Sequence, residues 1–162
     1  MISDYSSVSA QWQWLPGALA REWSAHHAGV ALRAQMVALG KQFAAAHALP
    51  AVNELGELEQ AVNRLWHEMH WGVASFKDNG QALRIVHTGA PIAQAFGIHT
   101  LAWSAGLLEG MYGTWLCLAG APVELELRRV EPAGPIGVDA PLEFILAAPV
   151  PAQQFILQGT AP

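Results

Sequence analysis

The sequence predicts an α+β fold in which N-terminal helices pack on a roughly four-stranded antiparallel sheet made of two hairpins separated by a helix. Three observations carry this expectation. Up to about His70, apolar residues recur at spacings of three and four, the mark of buried helix faces. An Asp78-Asn79-Gly80 turn then separates two short runs rich in strand formers. Alternation returns near the end, in Val123 to Val130 and again in Leu142, Phe144 and Leu146. Grouping of helices and strands, rather than strict alternation of the two, segregates helices from an antiparallel sheet.

The elements follow in chain order. Met1 to Gly17 mixes Ser with Tyr5, Trp12 and Trp14 without a clean period, and Pro16-Gly17 closes it, so residues 1–17 are expected to form an extended arm. Residues 18–162 suit one domain, because domains commonly run to about 100–200 residues. From Ala18 to about His47, an Ala-rich stretch carrying Leu19, Trp23, Val30, Met36, Val37 and Phe43 predicts a long, largely buried helix. Gly29 and Gly40 weaken it by about 1 kcal/mol each relative to Ala; either the close approach of another helix or a break would account for them. After Pro50, Asn53 is placed to cap a helix running to about His70, with Leu55, Leu58, Val62, Leu65, Trp66 and Met69 on its buried face.

Val73 to Lys77 and Ala82 to His87 form the first hairpin around Asn79-Gly80. Thr88 to Thr100, with Gly89, Pro91 and Gly97, reads as a connection holding a short helical piece, and Leu101 to Leu118 is helical again. Val123 to Val130 and Pro141 to Ala147 supply the last two strands, charged faces toward solvent, with Pro132 to Pro141 as the loop between them. Gln153 to Leu157 is expected to add a short edge strand.

Composition excludes several functions. The chain is 52% hydrophobic and 13% charged, against about 25% charged in an average soluble protein. So few charges do not cover an ordinary surface, which predicts an oligomer with extensive interfaces. The net charge of -5 and the lack of any basic run argue against nucleic acid as a partner. Cys117, the one cysteine, allows no intramolecular disulfide and reads as a small core residue. Met1 to Leu19 does not resemble a secretory leader and no eighteen-residue apolar run occurs, so neither secretion nor a transmembrane segment is expected. The expected location is the cytoplasm, with the periplasm as the alternative.

Motifs that bear chemistry do not assemble into an active site. In His67-Glu68-Met69-His70 the histidines are three apart, whereas a zinc-protease helix needs them four apart on one face. His26-His27 point about 100° apart on a helix. Gly106, Gly110 and Gly113 lack the spacing and the preceding strand of a phosphate loop, and read as a face where two helix backbones approach. Glu109, acidic in an apolar helix, should be paired, either with Arg84 or across a subunit boundary. Ser104 has no nucleophile elbow around it. A glycoside hydrolase would need two carboxylates about 5–10 Å apart, for which Glu68 and Glu109 are the only candidates. No catalytic residue, metal ligand or cofactor is therefore expected. Of the seven Trp, Trp66, Trp71, Trp103 and Trp115 read as core, whereas Tyr5, Trp12 and Trp14 in the arm are candidates for stacking on sugar rings or for packing into a neighbouring subunit.

Two groups of residues resemble a known family. His70-Trp71-Gly72, followed after the turn by Leu83-Arg84-Ile85-Val86-His87, and then Leu108-Glu109-Gly110-Met111-Tyr112-Gly113-Thr114-Trp115, are similar to the hallmark segments of the cellulose synthase D subunit, the family of bacterial cellulose synthase operon protein D. The chain departs from the family at His70, where an Asn is frequent, and at Thr88, where an acidic residue follows the His. The arm, residues 1–17, carries none of these strings. The resemblance implies a non-enzymatic accessory subunit, an octamer built as a tetramer of dimers with N-terminal arms inside, serving the cellulose synthase complex at the inner membrane. It further implies β-1,4-glucan as a ligand and an effect on the yield and ordering of cellulose. As motif positions it singles out Trp71, Gly72, Arg84, His87, Glu109, Gly110, Tyr112, Gly113 and Trp115. At the level of fold alone, a Gly-x-x-x-Gly helix followed by two closing strands also resembles the vinyl-reductase-like and haem-nitric-oxide families, implying a small-molecule-binding regulatory domain as the alternative.

Overall fold

Helix-forming sequence fills the first half of the chain. A computed structural model describes the backbone of residues 10–149 and the side chains of residues 14–149. Three helices come first: α1 (Ala10–His26), α2 (Gly29–Ala46) and α3 (Leu55–Met69). The hairpin β1 (Val73–Asp78) and β2 (Leu83–Thr88) follows, then α4 (Ile92–Phe96), a short turn of 3-10 helix (Ile98–Thr100), α5 (Leu101–Ser104) and α6 (Gly106–Leu118). Strands β3 (Glu126–Arg129) and β4 (Leu142–Ala147) close the fold. All pairings are antiparallel, in the order β1-β2-β4-β3, so the two hairpins join through β2 and β4. This is the α+β arrangement that the residue pattern predicts.

Several boundaries differ from the expectation, each for a physical reason. Residues 10–17 are not an extended arm but the start of α1, which continues through Pro16. Pro16 lies in the second turn of α1, where it withholds one amide, the partner of the Trp12 carbonyl, from the ladder. Tyr5 lies outside the described residues, as do the Trp12 side chain and the expected edge strand Gln153 to Leu157. The long helix predicted from Ala18 breaks at His27-Ala28, where Ala28 turns extended, and α2 starts at Gly29. Asn53 does not cap α3 with its side chain; its backbone N–H instead donates to the Glu57 carboxylate at 2.8 Å, and Glu54 holds the cap position. Nor is the hairpin turn a two-residue one. Asp78 pairs with Leu83, leaving Asn79 to Ala82 as the loop, in which Asn79 Oδ1 accepts from the Gln81 and Ala82 amides.

Beyond the sheet, Leu101 to Leu118 is divided at Ala105 into α5 and α6. The strand expected over Val123 to Val130 shrinks to β3, Val123 is exposed and Leu125 only half-buried. Arg129 follows the alternation of Leu125 and Leu127 and not that of Glu124, Glu126 and Arg128: its side chain is 6% exposed and its backbone N–H donates to Glu109 at 3.3 Å. Cys117 is exposed rather than core, because it falls on the outer face of the last turn of α6.

Two apolar clusters form. The larger joins α3, α6 and the inner face of the sheet around Trp66, Ile85, Leu108, Tyr112, Trp115 and Phe144, and the smaller joins α1, α2 and α5 around Ala20, Leu32, Met36 and Trp103. Between them α2 lies against α6 backbone to backbone. A Cβ added at Gly40 would overlap the Leu107 carbonyl, and one at Gly110 would overlap the Val37 carbonyl; the two glycine Cα atoms take the space a side chain would need. Gly106 meets Arg33 in the same way, so two of the three glycines serve the close approach that their spacing predicts. Gly113 does not, since nothing lies within 4 Å of where its Cβ would be.

Candidate functional site

The three strings that carry the family resemblance converge on one place, the interior between α3, α6 and β2. Strand alternation turns Ile85 and His87 inward and Arg84 and Val86 outward, and helical spacing brings Leu108, Tyr112 and Trp115 onto the buried side of α6. His87, fully buried, ends up against Tyr112 and Trp66. Its Nε2 lies 2.6 Å from the Trp71 carbonyl, its Nδ1 2.7 Å from the Tyr112 hydroxyl, and Trp66 Nε1 lies 3.1 Å from the same hydroxyl.

Donor chemistry fixes the direction of this chain. A carbonyl only accepts, so the imidazole proton sits on Nε2 and faces Trp71. Nδ1 is then the acceptor of the Tyr112 proton, and the Tyr112 oxygen accepts from the Trp66 indole. Burial lowers the affinity of His87 for a second proton, an effect only partly offset by the bond to Trp71, and burial likewise pushes Tyr112 far above its ordinary range. Both groups therefore stay neutral at physiological pH. Every polar atom of the trio has a partner, and none is left over to accept or deliver a proton to a substrate.

Aromatic rings surround the trio. Trp66 and Trp71 stack at 5.6 Å, and Phe43 stacks on Trp71 at 6.2 Å and on the exposed His47 ring at 4.1 Å. Trp115 crosses Trp66 edge-on at 5.4 Å and donates from Nε1 to the His47 carbonyl at 3.2 Å. Trp71 is half-buried, so three of the four Trp expected in the core are buried and this one lines its edge. Gly72 makes the join between α3 and β1 possible: it has φ 82°, and a Cβ there would overlap the Thr88 carbonyl across the strand pair. His70 before it adopts the left-handed conformation, φ 57°, as the helix C-cap.

Glu109 and Arg84 are both ion-paired, but not with each other. Arg84 pairs with Glu143 across the outer face of the β2–β4 ladder. Glu109, nearly buried, pairs with Arg33 of α2 and accepts the Arg129 amide of β3, so one carboxylate ties α2, α6 and β3 together. The partner comes from within the chain, correcting the expectation of Arg84 or a second subunit. The same pairing occupies Glu109 and leaves the exposed Glu68 without the free carboxylate partner that glycoside hydrolysis would need. Among the described residues, no group of three or more His, Cys, Asp or Glu is placed to hold a metal ion.

Residues outside the strings complete the site. Arg33 is one of only two charged residues in α2, the one sequence signal that could have marked it as the partner of Glu109. Asn63 and Glu59 of α3 reach the outer edge of β1: Asn63 bonds both the N–H and the carbonyl of Ala74 at 2.8 Å, and Glu59 accepts the Phe76 amide at 2.7 Å. Asn63 is a poor helix former on the margin of an apolar stripe, the kind of residue that marks such a bond. Trp14, placed on α1, is 64% exposed.

Comparisons with known proteins agree with the strings. The family described as the cellulose synthase D subunit matches residues 2–138, which takes in the N-terminal segment where none of the strings occurs and ends before β4. Cellulose synthase operon protein D of Komagataeibacter xylinus and that of Komagataeibacter sucrofermentans are each 30% identical to the chain over 92 residues, covering 55% of it. The match spans 59% of the length of those relatives, less than two thirds of either. Among solved structures, trafficking protein particle complex subunit 3 from Naegleria fowleri, covalently bound to palmitic acid, superposes with a TM-score of 0.54 over 83% of this chain and 91% of that one. At 11% identity this likeness is one of fold alone. By the family match and the convergence of its hallmark segments, the chain belongs to the cellulose synthase D-subunit family.

Proposed function

We propose that the chain is a non-catalytic accessory subunit of a bacterial cellulose synthase, assembling with copies of itself as an octamer of four dimers to organise synthase complexes or guide β-1,4-glucan chains into ordered cellulose. One observation carries this reading. Of the residues that bear the family resemblance, His87, Tyr112 and Glu109 are used up inside the fold, in a neutral, fully bonded trio with Trp66 and in a closed ion pair, so what they supply is shape rather than a reactive group. The low charge content supports self-assembly, because an apolar surface is satisfied by another copy of itself. No helix among the described residues is long and apolar enough to cross a membrane, so association with the inner-membrane synthase would run through protein contacts, from the cytoplasmic or the periplasmic side.

Light scattering tests the assembly: the expected particle is several times the 17.4 kDa chain at micromolar concentration, and a stable monomer would remove the physical basis of the proposal. Restoration of ordered cellulose in cells deleted for their own operon protein D tests the rest, with fractionation of a tagged copy deciding the compartment.

A second reading rests on the shared fold. The similar trafficking protein carries a fatty acid, and this chain has an apolar-floored cleft of about 350 Å³ beside the turn of the first hairpin. A small apolar ligand that co-purifies with the protein, found by mass spectrometry of an organic extract, would favour a binding domain over a scaffold.

A further inference from the structure

Arginine is seldom buried unless its charge and all its N–H groups are met by partners. Arg129 at the end of β3 is 6% exposed, and the carboxylate paired with it, that of Glu131, is itself 71% exposed. Glu131 places both oxygens on Nη1, at 3.0 and 3.1 Å. Nε is also buried and has no partner among the described residues. Glu109 accepts the Arg129 backbone N–H, but its own charge is taken by Arg33. The fold therefore leaves open the edge of the fork that carries Nε and Nη2, the edge on which a planar carboxylate makes two parallel bonds.

Arg129 lines a cavity of about 390 Å³ formed by the ends of β3 and β4 and the loop between them. Its volume falls within the range of small-molecule sites, about 300–1,000 Å³. Pro132, Ala133, Ile136, Pro141 and Leu142 give it apolar walls. The loop is set in place by its own bonds: Pro132, Pro135 and Pro141 fix φ, the Ala140 N–H donates to the Gly137 carbonyl at 3.1 Å, and Gln94 of α4 donates to Asp139 at 3.1 Å. Two carboxylates share the lining. Glu143 is taken by Arg84, which leaves Glu131 to compete for Arg129. A pair two residues apart, with its carboxylate in water, is screened and readily exchanged.

We propose that Arg129 and this cavity bind a small monocarboxylate with an apolar body. The carboxylate sits on Nε and Nη2, the carbon chain lies against Pro132, Ile136 and Leu142, and Glu131 turns out to water as the anion enters. The lining selects this class. None of its residues is aromatic, so it offers no ring for stacking on a sugar, and the carboxylates of Glu131 and Glu143 disfavour a dianion such as phosphate. The inference does not rest on the cellulose reading, since it concerns a site apart from the buried trio and the Glu109 pair.

Calorimetric titration of the full chain with hexanoate tests it. Saturable binding is expected, at least about tenfold tighter than that of acetate, whose methyl group covers little of the walls. Hexylamine, of the same length and opposite charge, should not bind. Glu131→Gln, which removes the competing charge, should tighten hexanoate by about tenfold. Arg129→Gln should abolish binding; Ile136→Trp, which fills the cavity and leaves the guanidinium in place, should weaken it by about tenfold or more and keeps the test open if Arg129→Gln does not fold. Absence of hexanoate binding to Glu131→Gln, affinity unchanged by Ile136→Trp, or inorganic phosphate or acetate binding as tightly as hexanoate would overturn the proposal.

Discussion

Tyr112 holds the middle of the buried trio, where its hydroxyl gives a proton to His87 Nδ1 and receives one from the Trp66 indole. Tyr112→Phe keeps the ring and strands two polar atoms at once, the Trp66 indole N–H without an acceptor and His87 Nδ1 without a donor. Each orphaned buried group costs about 1–3 kcal/mol, so the variant is expected to lose about 2–4 kcal/mol in urea unfolding, far more than the loss of one surface hydroxyl. A loss under about 0.5 kcal/mol would mean the trio is not bonded as described. His87 adds a pH dependence. Its folded proton affinity is lowered by burial, so between the folded value and about 6.5 the unfolded chain binds a proton that the folded chain refuses. Stability should therefore be complete above about pH 6.5 and fall as pH drops through that window. His87→Gln, which offers one donor and one acceptor but does not titrate, should flatten the slope between pH 7 and 5; an unchanged slope would assign it to other groups. The strings around these residues are legible in the sequence. Their bonding is not, because no periodicity tells that a histidine on β2 meets a tyrosine on α6, and Arg33 is hidden as the partner of Glu109 for the same reason.

At the scale of elements, the packing of α2 on α6 is decided by two glycines. Gly110→Ala puts a methyl group into the Val37 backbone, which cannot move aside without separating the helices, and an overpacked core of this kind costs about 1–3 kcal/mol or more. Gly113→Ala, one turn away with open space around it, should instead gain about 0.5–1 kcal/mol from helix propensity. Thermal melts of the pair separate steric need from mere glycine content, and loss in both variants would discard the close-approach account. Spacing of four between Gly106 and Gly110 makes the approach readable, yet nothing in the sequence distinguishes Gly113 from them. Hairpins and the alternating β4 are equally readable, since the pleat imposes a period of two. Boundaries set by tertiary contacts are not: β3 stops where Arg129 turns in toward Glu109, and α1 runs through Pro16 despite its missing amide. The side chains of Asn63 and Glu59 also cap the outer edge of β1, a lateral closure that keeps this sheet from extending into another copy there.

The assembly proposed for the whole molecule would then not run through the outer edge of β1, and Trp14 is the largest apolar group exposed among the described residues. It projects from α1, whose first half the sequence pattern alone reads as an extended arm. A Trp exposed by 64% contributes little to the stability of its own chain, so Trp14→Ser should leave the monomer's unfolding free energy in urea within about 0.5 kcal/mol of the parent. Buried in a contact between copies, the same ring would count among the groups that dominate an interface, worth about 2 kcal/mol or more. The two quantities respond differently, which makes the substitution informative. Sedimentation across a hundredfold range of concentration is expected to show the Trp14→Ser particle dissociating at about thirtyfold higher protein concentration than the parent, as about 2 kcal/mol per contact requires. If the assembly is unchanged while binding to cellulose oligomers falls, Trp14 faces glucan and not a neighbouring subunit; if neither changes, the exposed tryptophan has no part in the proposed function.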